Sequence, residues 1–207
     1  MKQVSTSILS KEDKFFNIEK INNSNTDYIH LDIMDGNFVD NTFIEKEELP
    51  KVINSCNKKI DIHLMVNNPK EYIDICKDYD ISFITIHYEN KNSLELINYV
   101  KEKGFKVGLS IKPETNVEDI FDILENIDLV LIMSVNPGYS GQTFINETEH
   151  KINKLRNEIQ KRNLNVLISV DGGICDQVFD KIKNTDIIVS ASYVLNNLDN
   201  INKLKAV

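Results

Sequence analysis

Eight short apolar runs recur along the chain, and their spacing constrains the fold more than any other feature. They are Val4–Leu9, Tyr28–Met34, Ile60–Val66, Phe83–His87, Lys106–Ile111, Leu129–Val135, Asn165–Asp171 and Ile187–Val194. Most of the starts lie 22 to 24 residues apart, with longer steps of 32 after the second (28 to 60) and 36 after the sixth (129 to 165). Ile and Val dominate most runs, as in strands buried on both faces. Between them lie helix signals. Leu94, Ile97 and Val100 keep a 3.6-residue period before Gly104. Pro69 opens a stretch with Tyr72, Ile73 and Cys76 on one face. Asn116 precedes Val117, Ile120, Ile123 and Leu124, and Ile152, Leu155 and Ile159 form a further stripe. A strand, a helix and two short loops fit each interval. Eight such units predict an α/β chain folded as a single (β/α)8 TIM barrel over residues 1–207. A doubly wound open sheet is the alternative, but eight evenly spaced strands favour closure. No linker or composition break supports a second domain.

Charge and cysteine content bound the partners. There are 24 basic and 32 acidic residues, a formal net charge of −8. That argues against nucleic-acid or membrane-surface partners, which favour a basic patch. Arg occurs only at 156 and 162, and the abundance of Lys, Asn and Ile reads first as coding bias. The start, 1–14, lacks a signal-peptide pattern, and no apolar run approaches the ~20 residues that span a bilayer. Cys56, Cys76 and Cys175 have neither disulfide-framework nor zinc-ribbon spacing and read as packing residues. The expectation is a soluble, reducing, cytoplasmic setting.

In a barrel of this kind the chemistry sits at the C-terminal strand ends. His30, Asp32 and Met34 share one strand face by alternation, as do His63 and Met65. The seventh run ends Ser169-Val170-Asp171-Gly172-Gly173. Any one of these polar residues could merely cap or hydrogen-bond. Two His and two Asp converging on one mouth match the donor types of a divalent metal such as zinc, iron(II) or manganese. Apart from Met1, the only methionines are Met34, Met65 and Met133, all near strand ends. Packing is the usual role of Met, but here the three would form an apolar lid that keeps water from an anionic intermediate. The sixth run passes into Asn136-Pro137-Gly138-Tyr139-Ser140-Gly141-Gln142, the seventh into Gly172-Gly173, and the eighth contains Ser190-Ala191-Ser192. Gly-rich loops after late barrel strands are the expected seat of a phosphate, held by backbone N–H groups.

These residues fall into an ordered set of motifs. They are Ser7-Ile8-Leu9-Ser10, His30-x-Asp32-x-Met34-Asp35-Gly36-x-Phe38-Val39, Asp61-x-His63-Leu64-Met65, His87-x-Glu89, Met133-Ser134-Val135-x-Pro137-Gly138-x-x-Gly141-Gln142-x-Phe144 and Val170-Asp171-Gly172-Gly173. Together, from about Ser5 to Ser192, they resemble the ribulose-phosphate 3-epimerase family. The resemblance implies a ribulose-phosphate-binding barrel and one divalent metal ion, cobalt being a further candidate. It implies His30, Asp32, His63 and Asp171 as ligands, with Asp32 and Asp171 also the catalytic acid/base pair. It implies substrate contacts from Ser7, His63, Met34, Met65, Met133, Gly138, Tyr139, Ser140, Gly141, Asp171, Gly172, Gly173, Ala191 and Ser192. A homo-oligomer, dimer or hexamer, is implied as well.

The implied reaction is an isomerase reaction, interconverting D-ribulose 5-phosphate and D-xylulose 5-phosphate by proton transfer at C3 through a cis-enediolate, one carboxylate serving each face. Four positions depart from the family pattern. Asp40 replaces a usual Pro, Tyr139-Ser140 replaces Phe-Gly or Phe-Ala, and Ala191 replaces a Gly, with expected costs in loop freedom or phosphate fit. A six-carbon substrate such as D-allulose 6-phosphate, or a non-catalytic sugar-phosphate-binding barrel, are the alternatives. A decarboxylase would want Lys where Met34 stands. His87 and Glu89 are expected in a structural role at the barrel mouth.

Overall fold

A computed structural model describes residues 1–207. Its elements run β1 (Gln3–Ser7), α1 (Lys14–Asn22), β2 (Tyr28–Asp35), β3 (Thr42–Phe43), α2 (Leu49–Asn54), β4 (Lys59–Met65), α3 (Pro69–Cys76) and β5 (Ile81–His87). There follow α4 (Ser93–Glu102), β6 (Val107–Ile111), a 3-10 segment (Val117–Asn126), β7 (Leu129–Met133) and α5 (Thr148–Lys161). The chain ends with β8 (Leu167–Asp171), a second 3-10 segment (Asp176–Ile182), β9 (Ile187–Ser190), α6 (Ser192–Asn196) and α7 (Asn200–Lys205).

Eight strands pair in parallel and close on themselves: β1 joins β9 on one side and β2 on the other. The fold is therefore the expected (β/α)8 TIM barrel. Short β3 lies outside the closure, antiparallel to β2. It and α2 account for the 32-residue step.

Strand alternation sorts the side chains. Outward residues such as Ile29, Leu31, Ile33, Ile62 and Leu64 join the helices in one apolar core of 48 buried residues, from Val4 to Leu204. Inward residues form a smaller apolar cluster that includes Tyr28, Phe83, Leu129, Ile187 and Val189. The remaining inward space holds buried His30, Asp32, Asp61, His63, Thr85 and His87.

Local chemistry sets the boundaries. Asp13 caps α1, its side chain accepting from the Phe15 and Phe16 N–H groups, and Pro69 opens α3. The first strand stops at Ser7, two residues earlier than its apolar run, because Ser7 Oγ accepts the Leu9 N–H in place of a strand partner. The last stops at Ser190, and Tyr193 and Val194 belong to α6. Val117–Asn126 is a 3-10 segment, unlike the α-helix its pattern predicts. Val117, Ile120 and Ile123 repeat every three residues, the period that eclipses side chains on a 3-10 helix.

Candidate active site

The register between β2 and β4 builds the polar centre. Cα partners are His30 with Asp61, Asp32 with His63, and Met34 with Met65. All six share the inward face, so the pairs stack in three layers from inside the barrel to its mouth. Asp171 arrives from β8, three places round the barrel from β2, with β9 and β1 between. One donor atom from each of His30, Asp32, His63 and Asp171 lies within 4.8 Å of the others. All four expected ligands are thus together.

The donor set suits a cation. His30 Nδ1 is 2.8 Å from Asp61 Oδ2, which also accepts from Ser5 Oγ at 2.9 Å. That leaves His30 Nε2 on the inner side, 3.4 Å from Asp32 Oδ1 and with no hydrogen-bond partner. A fully buried ring nitrogen without a partner is costly unless something else meets its lone pair. His63 Nδ1 lies 3.2 Å from the same Asp32 oxygen. Two imidazoles and two carboxylates turned to one point can hold a divalent metal ion.

The two carboxyl groups titrate apart. Burial opposes ionisation of Asp32, but the His30 and His63 rings outweigh it and hold the carboxyl well below its usual range. Asp171 is pushed up to about 7, by burial first and then by the Asp32 charge. A carboxylate and a carboxylic acid side by side are the parts of a general base and a general acid. Burial disfavours charge on His30, yet Asp32 and Asp61 together raise its basicity well above the ordinary value. The same negative surroundings attract a metal cation.

A cleft of about 550 Å³, counting space open to solvent, lies over this centre. Ser7, Met34, Met65, Met133, the 138–141 loop, Gly172–Gly173 and Ala191–Ser192 line it, with Asp32 and Asp171 at its floor. His63 does not; it is fully buried below. Ser7 spends its hydroxyl on the site itself, donating to Asp32 Oδ2 at 2.7 Å. Met34 and Met65 pack with Val39 in a small apolar cluster bordered by Leu9, Phe38 and Phe43.

No Lys or Arg lines the cleft. Arg156 binds Asp186 and Arg162 binds Glu158, both away from it. An anion there has backbone N–H groups and uncharged side chains such as Ser140 and Ser192 to meet. Gly173 has φ +63, and a Cβ on it would fall 2.4 Å from the Phe144 nitrogen, so only glycine fits. Neither Ser140 nor Ala191 has a positive φ, that of Ala191 being −100, so neither sits in the left-handed region that favours glycine. The Tyr139 hydroxyl donates to the Asp40 carbonyl at 3.3 Å, tying two of the departing positions together.

Asp61 and Ser5 carry no role in the sequence reading. Alternation was the available signal: Asp61 shares the face of His63, two residues deeper in the barrel.

The Ribulose-phosphate 3 epimerase family model matches residues 3–195. A ribulose-phosphate 3-epimerase of Helicobacter pylori (strain J99) is 33% identical over 200 residues, 95% of this chain and 92% of that one. One of Buchnera aphidicola is 39% identical over 182 residues, 85% and 80% of the two chains. A rice relative named the cytoplasmic isoform is 37% identical over 159 residues, 74% and 68%. Among solved structures, N-(5'-phosphoribosyl)anthranilate isomerase from Pyrococcus furiosus superposes over all of both chains with a TM-score of 0.67 at 15% identity, a likeness of fold alone.

Proposed function

The chain belongs to the ribulose-phosphate 3-epimerase family, and from that premise we propose that Asp32 and Asp171 carry out its proton transfer and that His30, Asp32, His63 and Asp171 would hold a divalent metal ion. It is an isomerase, an epimerase of ribulose phosphate. The observation that carries the site assignment is the convergence of those four donors within 4.8 Å at the floor of the cleft.

Epimerisation at C3 of D-ribulose 5-phosphate removes a proton from one face and delivers one to the other, giving D-xylulose 5-phosphate. Asp32 takes the C3 proton and Asp171 supplies one from the far side, with the roles exchanged in the reverse direction. Their origin on strands three places apart supports one carboxyl for each face. Ser7 holds Asp32 Oδ2 and so orients that carboxylate. A divalent ion bound there, zinc, iron(II), manganese or cobalt, supplies Lewis-acid stabilisation of the negative charge that builds on oxygen when the proton leaves. Met34, Met65 and Met133 exclude water from the reacting carbons. Backbone N–H groups of 138–141, 172–173 and 191–192 hold the phosphate.

Residues 1–207 act as one barrel domain in this reading, supported by a core that extends from Val4 to Leu204. No helix is long and apolar enough to cross a membrane, in keeping with a cytoplasmic enzyme. A homo-oligomer, dimer or hexamer, completes the reading, and light scattering measures it.

The deciding experiment follows solvent deuterium into C3 of ribulose 5-phosphate, with and without a chelator. Fast exchange that stops on metal removal is expected. Exchange at the native rate in a variant with both Asp32 and Asp171 changed to Asn overturns the two-carboxyl mechanism. Equal turnover of a six-carbon ketose phosphate overturns the preference for the pentulose.

A further inference from the structure

His87 and Glu89 lie outside the cleft, yet they continue from His63 in one hydrogen-bonded line. His63 Nδ1 faces Asp32 Oδ1 at 3.2 Å, His63 Nε2 meets His87 Nε2 at 2.9 Å, and His87 Nδ1 meets Glu89 Oε2 at 3.0 Å. The two rings stack with centroids 5.0 Å apart, and both are fully buried, so water cannot replace a missing partner.

Proton counting limits this line. It has three gaps, and ionised carboxylates at both ends only accept. Two neutral imidazoles bring two N–H groups. The gap between the Nε2 atoms must hold one of them, because two bare lone pairs at that distance repel. Two arrangements remain. In one, His63 donates from Nδ1 to Asp32, His87 donates from Nε2 to His63, and a bare His87 nitrogen faces Glu89. In the other, His63 donates from Nε2 to His87 and His87 donates from Nδ1 to Glu89. The bare nitrogen is then His63 Nδ1, facing the point where His30, Asp32 and Asp171 converge. Only the second arrangement offers a metal a lone pair.

Glu89 is built to select it. Its Oε1 accepts from the Lys112 backbone N–H at 2.9 Å and the Thr115 hydroxyl at 2.5 Å, which turns Oε2 to His87. The Lys112 N–H cannot reverse its role, so this corner of the loop always needs an acceptor. The loop itself is held by Lys151 Nζ, which donates to the Pro113 carbonyl at 2.5 Å and the Thr115 carbonyl at 2.6 Å. Resting on the metal reading given above, we infer that His87 and Glu89 are positioning residues for His63, selecting the ring form whose Nδ1 lone pair faces the metal site.

The test is nitrogen-15 NMR of histidine-labelled protein loaded with Zn(II), together with Zn(II) affinity by chelator competition. In the native protein His87 is expected protonated at Nδ1 and His63 at Nε2. A His87 protonated at Nε2 overturns the inference, and this measurement needs no variant. In Glu89→Gln only the amide oxygen can accept from Lys112, so the amide NH2 faces His87 and turns both rings over. Zn(II) binding about 10- to 100-fold weaker is expected, with His87 protonated at Nε2. Native affinity and native ring forms in Glu89→Gln overturn the inference. His63→Asn separates the two levels. If it weakens Zn(II) binding while Glu89→Gln does not, the positioning role fails and the metal reading stands. If neither weakens binding, both fail.

Discussion

Asp61 Oδ2 stands 2.8 Å from His30 Nδ1, directly across the β2–β4 register, and holds that ring so that Nε2 faces the Asp32 carboxylate. A carboxylate behind a ligating imidazole fixes its tautomer and raises its basicity.

Asp61→Asn is therefore expected to weaken Zn(II) or Co(II) binding about 10- to 100-fold. Competition with a chromophoric chelator reads the affinity. A native dissociation constant would show that His30 does not depend on Asp61.

Asp32→Asn and Asp171→Asn are each expected to lower kcat by a factor of about 10² to 10⁴, the usual share of a positioned acid or base. Steady-state interconversion of the two pentulose phosphates, started from each side, is the measurement. Loss in both directions of the reaction is expected, because each carboxyl is the base for one substrate and the acid for the other. Native interconversion rates in both single variants would sink the assignment.

The pH dependence of stability has a definite sign at Glu89. Burial raises its pKa, but hydrogen bonds from His87, the Lys112 N–H and the Thr115 hydroxyl outweigh that and bring it down to about 2, from an ordinary 4.5. A depressed carboxyl stabilises the fold fully above its unfolded value and loses that contribution as pH falls through the folded one. The native protein should lose stability between pH 4.5 and about 2 more steeply than Glu89→Gln. Denaturant titrations across that interval compare the slopes, and equal slopes would contradict the bonding described for Glu89.

The phosphate loops offer a paired test of glycine. Gly173→Ala must place a methyl against the Phe144 backbone at positive φ, so it is expected to cost more than about 1 kcal/mol and to raise KM. Ala191 already has negative φ. Ala191→Gly is therefore expected to leave KM near native and to cost only about 0.4–1 kcal/mol, through the freer unfolded chain. Thermal unfolding and steady-state kinetics of the two variants decide whether backbone conformation or methyl bulk governs this end of the cleft.

Much of the fold and of the polar centre was legible because barrels repeat. Each strand run carries its own alternation, so His30, Asp32, His63 and Asp171 could be placed on inward faces at strand ends without knowing their neighbours. The same alternation put Met34 on the face of Asp32 and Met65 on the face of His63, and the register then brings the two methionines to one level. Strand limits were less legible. The pull of the Ser7 hydroxyl on the Leu9 N–H is a local contact that hydrophobicity does not report, and the three-residue period beginning at Val117 differs too little from a helical 3.6 to be told apart over one short stretch.

Residue type and spacing by themselves pointed to the barrel, to the four donors proposed as metal ligands and to the glycine-rich loops proposed to hold the phosphate. Tertiary structure alone decided what stands behind those ligands. His30 meets Asp61 from 31 residues away, and His63 meets His87 from 24 residues away. Such pairs depend on how far each parallel strand slides against its neighbour. That slide is set by packing of the whole closed sheet and leaves no mark within any one strand. Which nitrogen of each ring faces the candidate metal site follows from those partners, so it too was decided in three dimensions.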